Sequence, residues 1–151
     1  MSEHLVKAHQ LIEHSKYDMA LKQINDYLVD EPNEGYAYYL KALVFLHQNK
    51  KKESLENAQK SVALSPDESY PYYMMALIHY HLTQSYAESE KYILEAIQYE
   101  PEEPMYYHLL ASLKIVKSKY KEALAAAEEG LAIDPENVEC KNVKSVALTK
   151  L

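Results

Sequence analysis

The sequence predicts an all-α fold, an α-solenoid of antiparallel helix pairs, on three observations. Four prolines, Pro32, Pro66, Pro101 and Pro135, recur at intervals of 34, 35 and 34 residues. Each closes an apolar helical stretch ("INDYLVDEP", "AQKSVALSP", "ILEAIQYEP", "AEEGLAIDP") and is followed by acidic or amide residues and a fresh apolar stretch. Only two glycines, Gly35 and Gly130, occur in 151 residues. That scarcity disfavours tight-turned sheets and Gly-rich phosphate loops and suits helices joined by short polar turns.

A proline just past a helix end stops the helix, because it cannot donate the next hydrogen bond. Asp or Glu at the following start complements the positive end of the next helix. The chain therefore reads as one array over 1–151, with repeats at about 1–34, 35–68, 69–103 and 104–137 and a capping or next-repeat helix over 138–151. First helices are expected near 3–14, 36–48, 70–82 and 105–117, and second helices near 17–30, 52–64, 86–99 and 120–133. A ninth helix is expected over about 138–150, matching the first helix of a further unit. The polar turns inside the pairs fall near His14–Lys16, Gln48–Lys51, Thr83–Ser85 and Lys117–Lys119. The third unit carries one extra residue, in "YHLTQSYAES", and predicts a longer turn there. Units of this size bury little alone, so a stable stack needs three or more.

Small residues recur where paired helices must touch: Ala8, Ala42, Ala76 and Ala111 on first helices, Ala20, Ser54, Ser89 and Ala123 on second helices. Close crossing requires small side chains at the contact. Large residues surround them, with Tyr38, Tyr72, Tyr107 and Phe45 assigned to the core.

These residues carry a family resemblance. The chain resembles a tetratricopeptide-repeat array of four units plus a final helix. The motif is fullest in "YDMALKQINDYLVDEP" (Tyr17, Ala20, Leu21, Ile24, Leu28, Pro32) and "YKEALAAAEEGLAIDP" (Tyr120, Ala123, Leu124, Leu131, Pro135). Ser89 replaces the usual alanine in unit three, and Lys51 and Ser54 replace the aromatic and the alanine in unit two. The resemblance implies a right-handed superhelix whose first helices line a concave wall. It also implies a protein-binding scaffold, not an enzyme.

Composition narrows the function. The net charge is −7 and every basic residue is lysine. An acidic chain without arginine forks is poorly suited to nucleic acid. No run reaches membrane-spanning length. The start "MSEHLVKAHQ" is not a signal peptide. The single Cys140 fits a reducing compartment, so a soluble cytoplasmic chain is expected. His4, His9 and His14 lie five apart and His79 and His81 two apart, spacings that do not put two ligands on one helix face. No metal, cofactor or catalytic residue is expected. The lysines at the turns, Lys50–Lys52 and Lys117, Lys119 and Lys121, complement helix C-termini. Their alternative role is a basic edge for an acidic partner.

Tyrosine is the unusual residue, at 15 copies against one Phe and no Trp. A stripe at i, i+3, i+7, i+10 runs along one helix face. On the first helices it holds Ser2, Leu5, His9, Ile12; Tyr36, Tyr39, Leu43, Leu46; Tyr70, Tyr73, Leu77, Tyr80; and Met105, His108, Ser112, Ile115. The middle helices are thus apolar on two faces, and a helix of that kind buries both or binds something with one. The candidate partner-binding groove comprises Tyr36, Tyr39, Leu43, His47, Tyr70, Tyr73, Leu77, Tyr80, His108 and Ser112. The competing assignment is that Tyr39 and Tyr73 fill space between neighbouring first helices. Some members of the resembled family clamp a partner's C-terminal carboxylates with lysine, asparagine and arginine. Here the matching positions hold Leu5, His9, Leu40, Tyr70 and Met74, or one unit on, Tyr39, Leu43, Met74, Met105 and Leu109, so no such clamp is present.

The leading expectation is a scaffold holding a peptide or helix of a protein partner in an apolar, Tyr-rich groove. The alternative is a self-associating structural array, a weak homo-oligomer through the groove or the terminal helix.

Overall fold

A computed structural model describes residues 2–151. Among them are nine α-helices and no strand: α1 Glu3–Glu13, α2 Tyr17–Asp30, α3 Gly35–His47, α4 Lys51–Leu64, α5 Tyr70–His81, α6 Tyr86–Tyr99, α7 Pro104–Val116, α8 Tyr120–Ile133 and α9 Val138–Thr149. The expected bounds differ from these by no more than a residue. The third intra-pair turn, 82–85, is four residues long, where the other three have three.

Consecutive helices pack antiparallel as α1/α2, α3/α4, α5/α6 and α7/α8, and each pair packs on the next. Curvature follows from which helices touch. First helices meet their counterparts in the chain α1–α3–α5–α7–α9, whereas no second helix meets another among the described residues. Helices drawn together on one side and splayed on the other bend the stack, and the first helices line its inner wall.

The small residues do what close crossing requires. Ala8, Ala20, Ala42, Ala76, Ala111 and Ala123 are fully buried, as are Ser54 and Ser89. The two serines, which depart from the repeat's alanine, donate their hydroxyls across the pair, Ser54 to the Ala42 carbonyl at 2.9 Å and Ser89 to the Ala76 carbonyl at 2.7 Å. A buried hydroxyl at these positions is therefore satisfied.

The prolines also organise packing. In units two to four a tyrosine six residues on donates its phenol to the proline carbonyl: Tyr38 to Pro32 (3.0 Å), Tyr72 to Pro66 (2.6 Å) and Tyr107 to Pro101 (2.7 Å). Tyr72 and Tyr107 are buried, as expected of core residues. Tyr38 and Phe45 are only half-buried, which corrects their assignment to the core. Tyr72 stacks on Tyr99 of α6 at 5.5 Å; Tyr38 instead lies under the Lys60 ammonium at 5.2 Å, and Phe45 under Lys50 at 5.9 Å. Cationic heads stay near water, so these rings stay at the rim.

Of the turn lysines, Lys117 is engaged. It and Lys114 pair with Glu90 of α6 at 3.1 and 3.3 Å, tying unit three to unit four.

Candidate functional site

The inner stripe divides into a packed floor and two open ends. At the floor, Tyr36 stacks on Tyr39 (5.2 Å between ring centres, 20°). Tyr70 of α5 meets both rings edge-on at 5.3 and 5.4 Å. Tyr73 lies 4.9 Å from Tyr106 of α7. Edge-on and offset ring pairs at this spacing are favourable beyond the area they bury. Burial pushes the Tyr39 phenol far above its ordinary range, and pushes Tyr73 and Tyr106 up to about 12. Leu43 and Leu77 pack beside them against the same clusters. Tyr39, Leu43, Tyr73 and Leu77 thus sit between neighbouring first helices. Of the seam hydroxyls, Tyr70 donates to the Ser65 hydroxyl at 2.9 Å and Tyr106 shares a hydrogen bond with the Ser69 hydroxyl at 2.8 Å.

His47 is apart from this floor. It is exposed at the end of α3, stacks on Tyr17 of α2 (5.7 Å, 15°), and shares a cleft with His81 and Asn49.

One open end lies between α5, α7 and α9. Tyr80, His108 and Ser112 line a cleft of about 270 Å³ with Ile115 and with Asn142, Val143 and Val146 of α9. Ser112 donates to the His108 carbonyl at 2.9 Å. Burial lowers the His108 pKa below its usual value, with Glu139 opposing, so the ring is neutral near pH 7. Val146 is 44% exposed. Asn142 and Val146 lie on α9, beyond the first-helix stripes of the four repeats. The signal was present: the same stripe counted along α9 gives Glu139, Asn142, Val146 and Thr149.

The other open end lies at the starts of α1, α3 and α5, a cleft of about 360 Å³ lined by Tyr36 and Tyr70 together with Tyr27, Glu34, Ser65 and Glu68. Tyr27 comes from a second helix, α2, and so lies off the first-helix stripes. At the positions of the carboxylate clamp, Leu5, Leu40, Met74 and Leu109 are buried. Among the described residues no three His, Cys, Asp or Glu side chains gather as metal ligands, and no helix is long and apolar enough to cross a membrane.

A family model of the tetratricopeptide repeat matches residues 5–69. Solved structures with this fold include a thermophilic tetratricopeptide-repeat protein of Thermus thermophilus, at 16% identity over 94% of this chain and 78% of that one, with a TM-score of 0.85. The APC/C hetero-tetramer Cut9-Hcn1 matches at 12% identity over 96% of this chain and 29% of that one, TM-score 0.83. Naa15/Naa10 bound to HypK-THB matches at 19% identity over 97% of this chain and 22% of that one, TM-score 0.77. This chain therefore spans under a third of the last two. No curated protein matches the sequence.

Proposed function

Because the chain is a right-handed tetratricopeptide-repeat array of four helix pairs and a ninth helix, we propose that its concave groove holds a peptide or helix of a protein partner, seated between α5, α7 and α9. Arrays of this fold serve as scaffolds, because a curved stack offers a continuous surface that no single repeat has. Two proteins that share the fold are found in assemblies, Cut9-Hcn1 and Naa15/Naa10 with HypK-THB.

The observation that carries the proposal is the cleft of Tyr80, His108, Ser112, Ile115, Asn142, Val143 and Val146. Its surface is mostly apolar, with polar groups from Tyr80, His108, Ser112 and Asn142, the makeup of a recognition pocket. The buried thiol of Cys140 fits a reducing, cytoplasmic setting.

The test is selection of binders from a displayed random-peptide library on the purified chain, followed by binding to Tyr80→Ala and Ser112→Arg. Both variants keep their helical spectrum and lose the selected apolar peptides. Peptides that bind both variants as tightly as the parent overturn this seat.

A second reading, self-association through the terminal helix, is supported by Val138, Leu148 and Leu151, which are 61%, 50% and 59% exposed at one end of the stack. A mass that rises with concentration in sedimentation, and falls on Val138→Lys/Leu148→Lys, would favour it.

A further inference from the structure

The cleft at the starts of α1, α3 and α5 differs in chemistry from the apolar end of the groove. Three phenol rings, Tyr27, Tyr36 and Tyr70, share it with two carboxylates, Glu34 and Glu68. Neither carboxylate belongs to an ion pair among the described residues. Glu34 uses one oxygen to accept the Tyr36 backbone N–H at 3.2 Å and keeps the other. The Glu68 side chain makes no hydrogen bond among the described residues.

We propose that this cleft receives a single basic side chain, lysine or arginine, from the protein segment held in the groove.

Three arguments favour that occupant. Aromatic faces attract cations through the ring quadrupole. The starts of α1, α3 and α5 lie at the cleft, and each brings about half a positive charge; two full carboxylate charges outweigh the three together, so the cleft stays negative. An anion is repelled there, and an apolar side chain would desolvate both carboxylates with no return. Size is the third argument. About 360 Å³ admits one long side chain and excludes a helix. The field of the carboxylates reaches the rings: beyond burial, which raises the Tyr70 phenol most, and the Ser65 hydrogen bond, which lowers it, Glu34 and Glu68 both raise it. The aromatic wall is also fixed in place, because Tyr70 donates to the Ser65 hydroxyl at 2.9 Å and stands edge-on to Tyr36. A side chain entering a pre-ordered wall loses less entropy than one that must order it.

The proposal rests on the groove being a partner's seat, and the experiment separates the two. Amide NMR of the labelled chain is followed while lysine capped at both ends as N-acetyl methylamide is added. Capped arginine, capped norleucine and capped glutamate are added in parallel. The expected result is saturable shifts at Tyr36, Glu68 and Tyr70 with both basic probes, about tenfold weaker with norleucine and absent with glutamate, and weakened by salt. Glu34→Gln/Glu68→Gln, which retains an amide oxygen to cap α3, weakens the basic probes about tenfold while its melt stays unchanged. Norleucine equal to lysine, a response undiminished in the double variant, or no saturable response overturns the basic pocket. If that happens while selected peptides still bind between α5, α7 and α9, only the pocket falls. If the basic probes saturate while no peptide binds, the pocket stands and the peptide seat falls.

Discussion

Gly130 of α8 lies against Cys140 of α9 so closely that a β-carbon on Gly130 would stand 2.5 Å from the Cys140 sulfur. The thiol is held there: it is fully buried and donates to the Pro104 carbonyl at 3.4 Å. Gly130→Ala should gain about 1 kcal/mol of helix propensity and lose more through overpacking, for a net loss of about 1–2 kcal/mol. Calorimetry of Gly130→Ala, Cys140→Ala and the double variant checks this. Removing the sulfur opens the space, so the double variant should be more stable than the sum of the two singles. Strict additivity would show that the contact carries no strain.

The turns inside the helix pairs each hold one residue with left-handed backbone: Ser15, Asn49, Gln84 and Ser118, with φ of 58, 58, 50 and 59°. None is glycine. A side chain in that region costs roughly 1–2 kcal/mol, least for Asn. Glycine relieves the strain, offset in part by the entropy of a freer unfolded chain. Ser15→Gly, Gln84→Gly and Ser118→Gly should each stabilise by about 0.5–1 kcal/mol, and Asn49→Gly by less. Denaturant midpoints rank them, and an Asn49→Gly gain equal to the others would refute the strain argument.

The stack was legible because proline and small residues encode it locally. Pro32, Pro66, Pro101 and Pro135 mark helix ends by their missing N–H, and the Ala8 and Ala20 positions mark crossings by size alone. What tyrosine does was less legible. Tyr38, Tyr39 and Tyr72 have the same side chain within one pattern, yet Tyr72 is core, Tyr38 stands at the rim beneath Lys60, and Tyr39 lies in the seam with Tyr70. Those outcomes depend on which residue the facing helix presents: Tyr99 on α6 and Lys60 on α4 within the same pair, and Tyr70 on α5 of the next unit across the inner wall. A stripe on one helix carries no record of its neighbour. Likewise Asn142 and Val146 line the α5–α7–α9 cleft because α9 packs on α7.

The seam makes the chain sensitive to alkali. Burial raises Tyr73 and Tyr106 to about 12 and Tyr39 further, against about 10 unfolded. Between those values the unfolded chain has released protons that the folded chain retains, so stability is full below pH 10 and falls as pH rises from about 10 to 12. Titration of phenolate absorbance should show a group of tyrosines that ionise only with loss of helicity. All 15 ionising together near pH 10 with the helices intact would contradict the packed seam.

Tyr39 and Tyr80 share one stripe position pattern and should fail differently. Tyr39 touches Tyr36 and Tyr70 and packs against two core clusters. Emptying it by Tyr39→Ala should therefore cost about 3 kcal/mol of stability, the scale expected also for Tyr72→Ala. For 151 residues that lowers the melting temperature by roughly 6–12 °C. Tyr80 is half-buried at the mouth of the α5–α7–α9 cleft, where its ring still has solvent on one side. Tyr80→Ala should shift the melt far less and weaken a bound peptide by about 2 kcal/mol, roughly thirtyfold. Thermal melts and peptide titrations on both variants decide the matter. A Tyr39→Ala chain that melts normally but captures nothing would make the seam itself the binding surface. A Tyr80→Ala chain that binds as the parent does would move the partner to another face, of which the turn edge carrying Lys119 and Lys121 is the first to test.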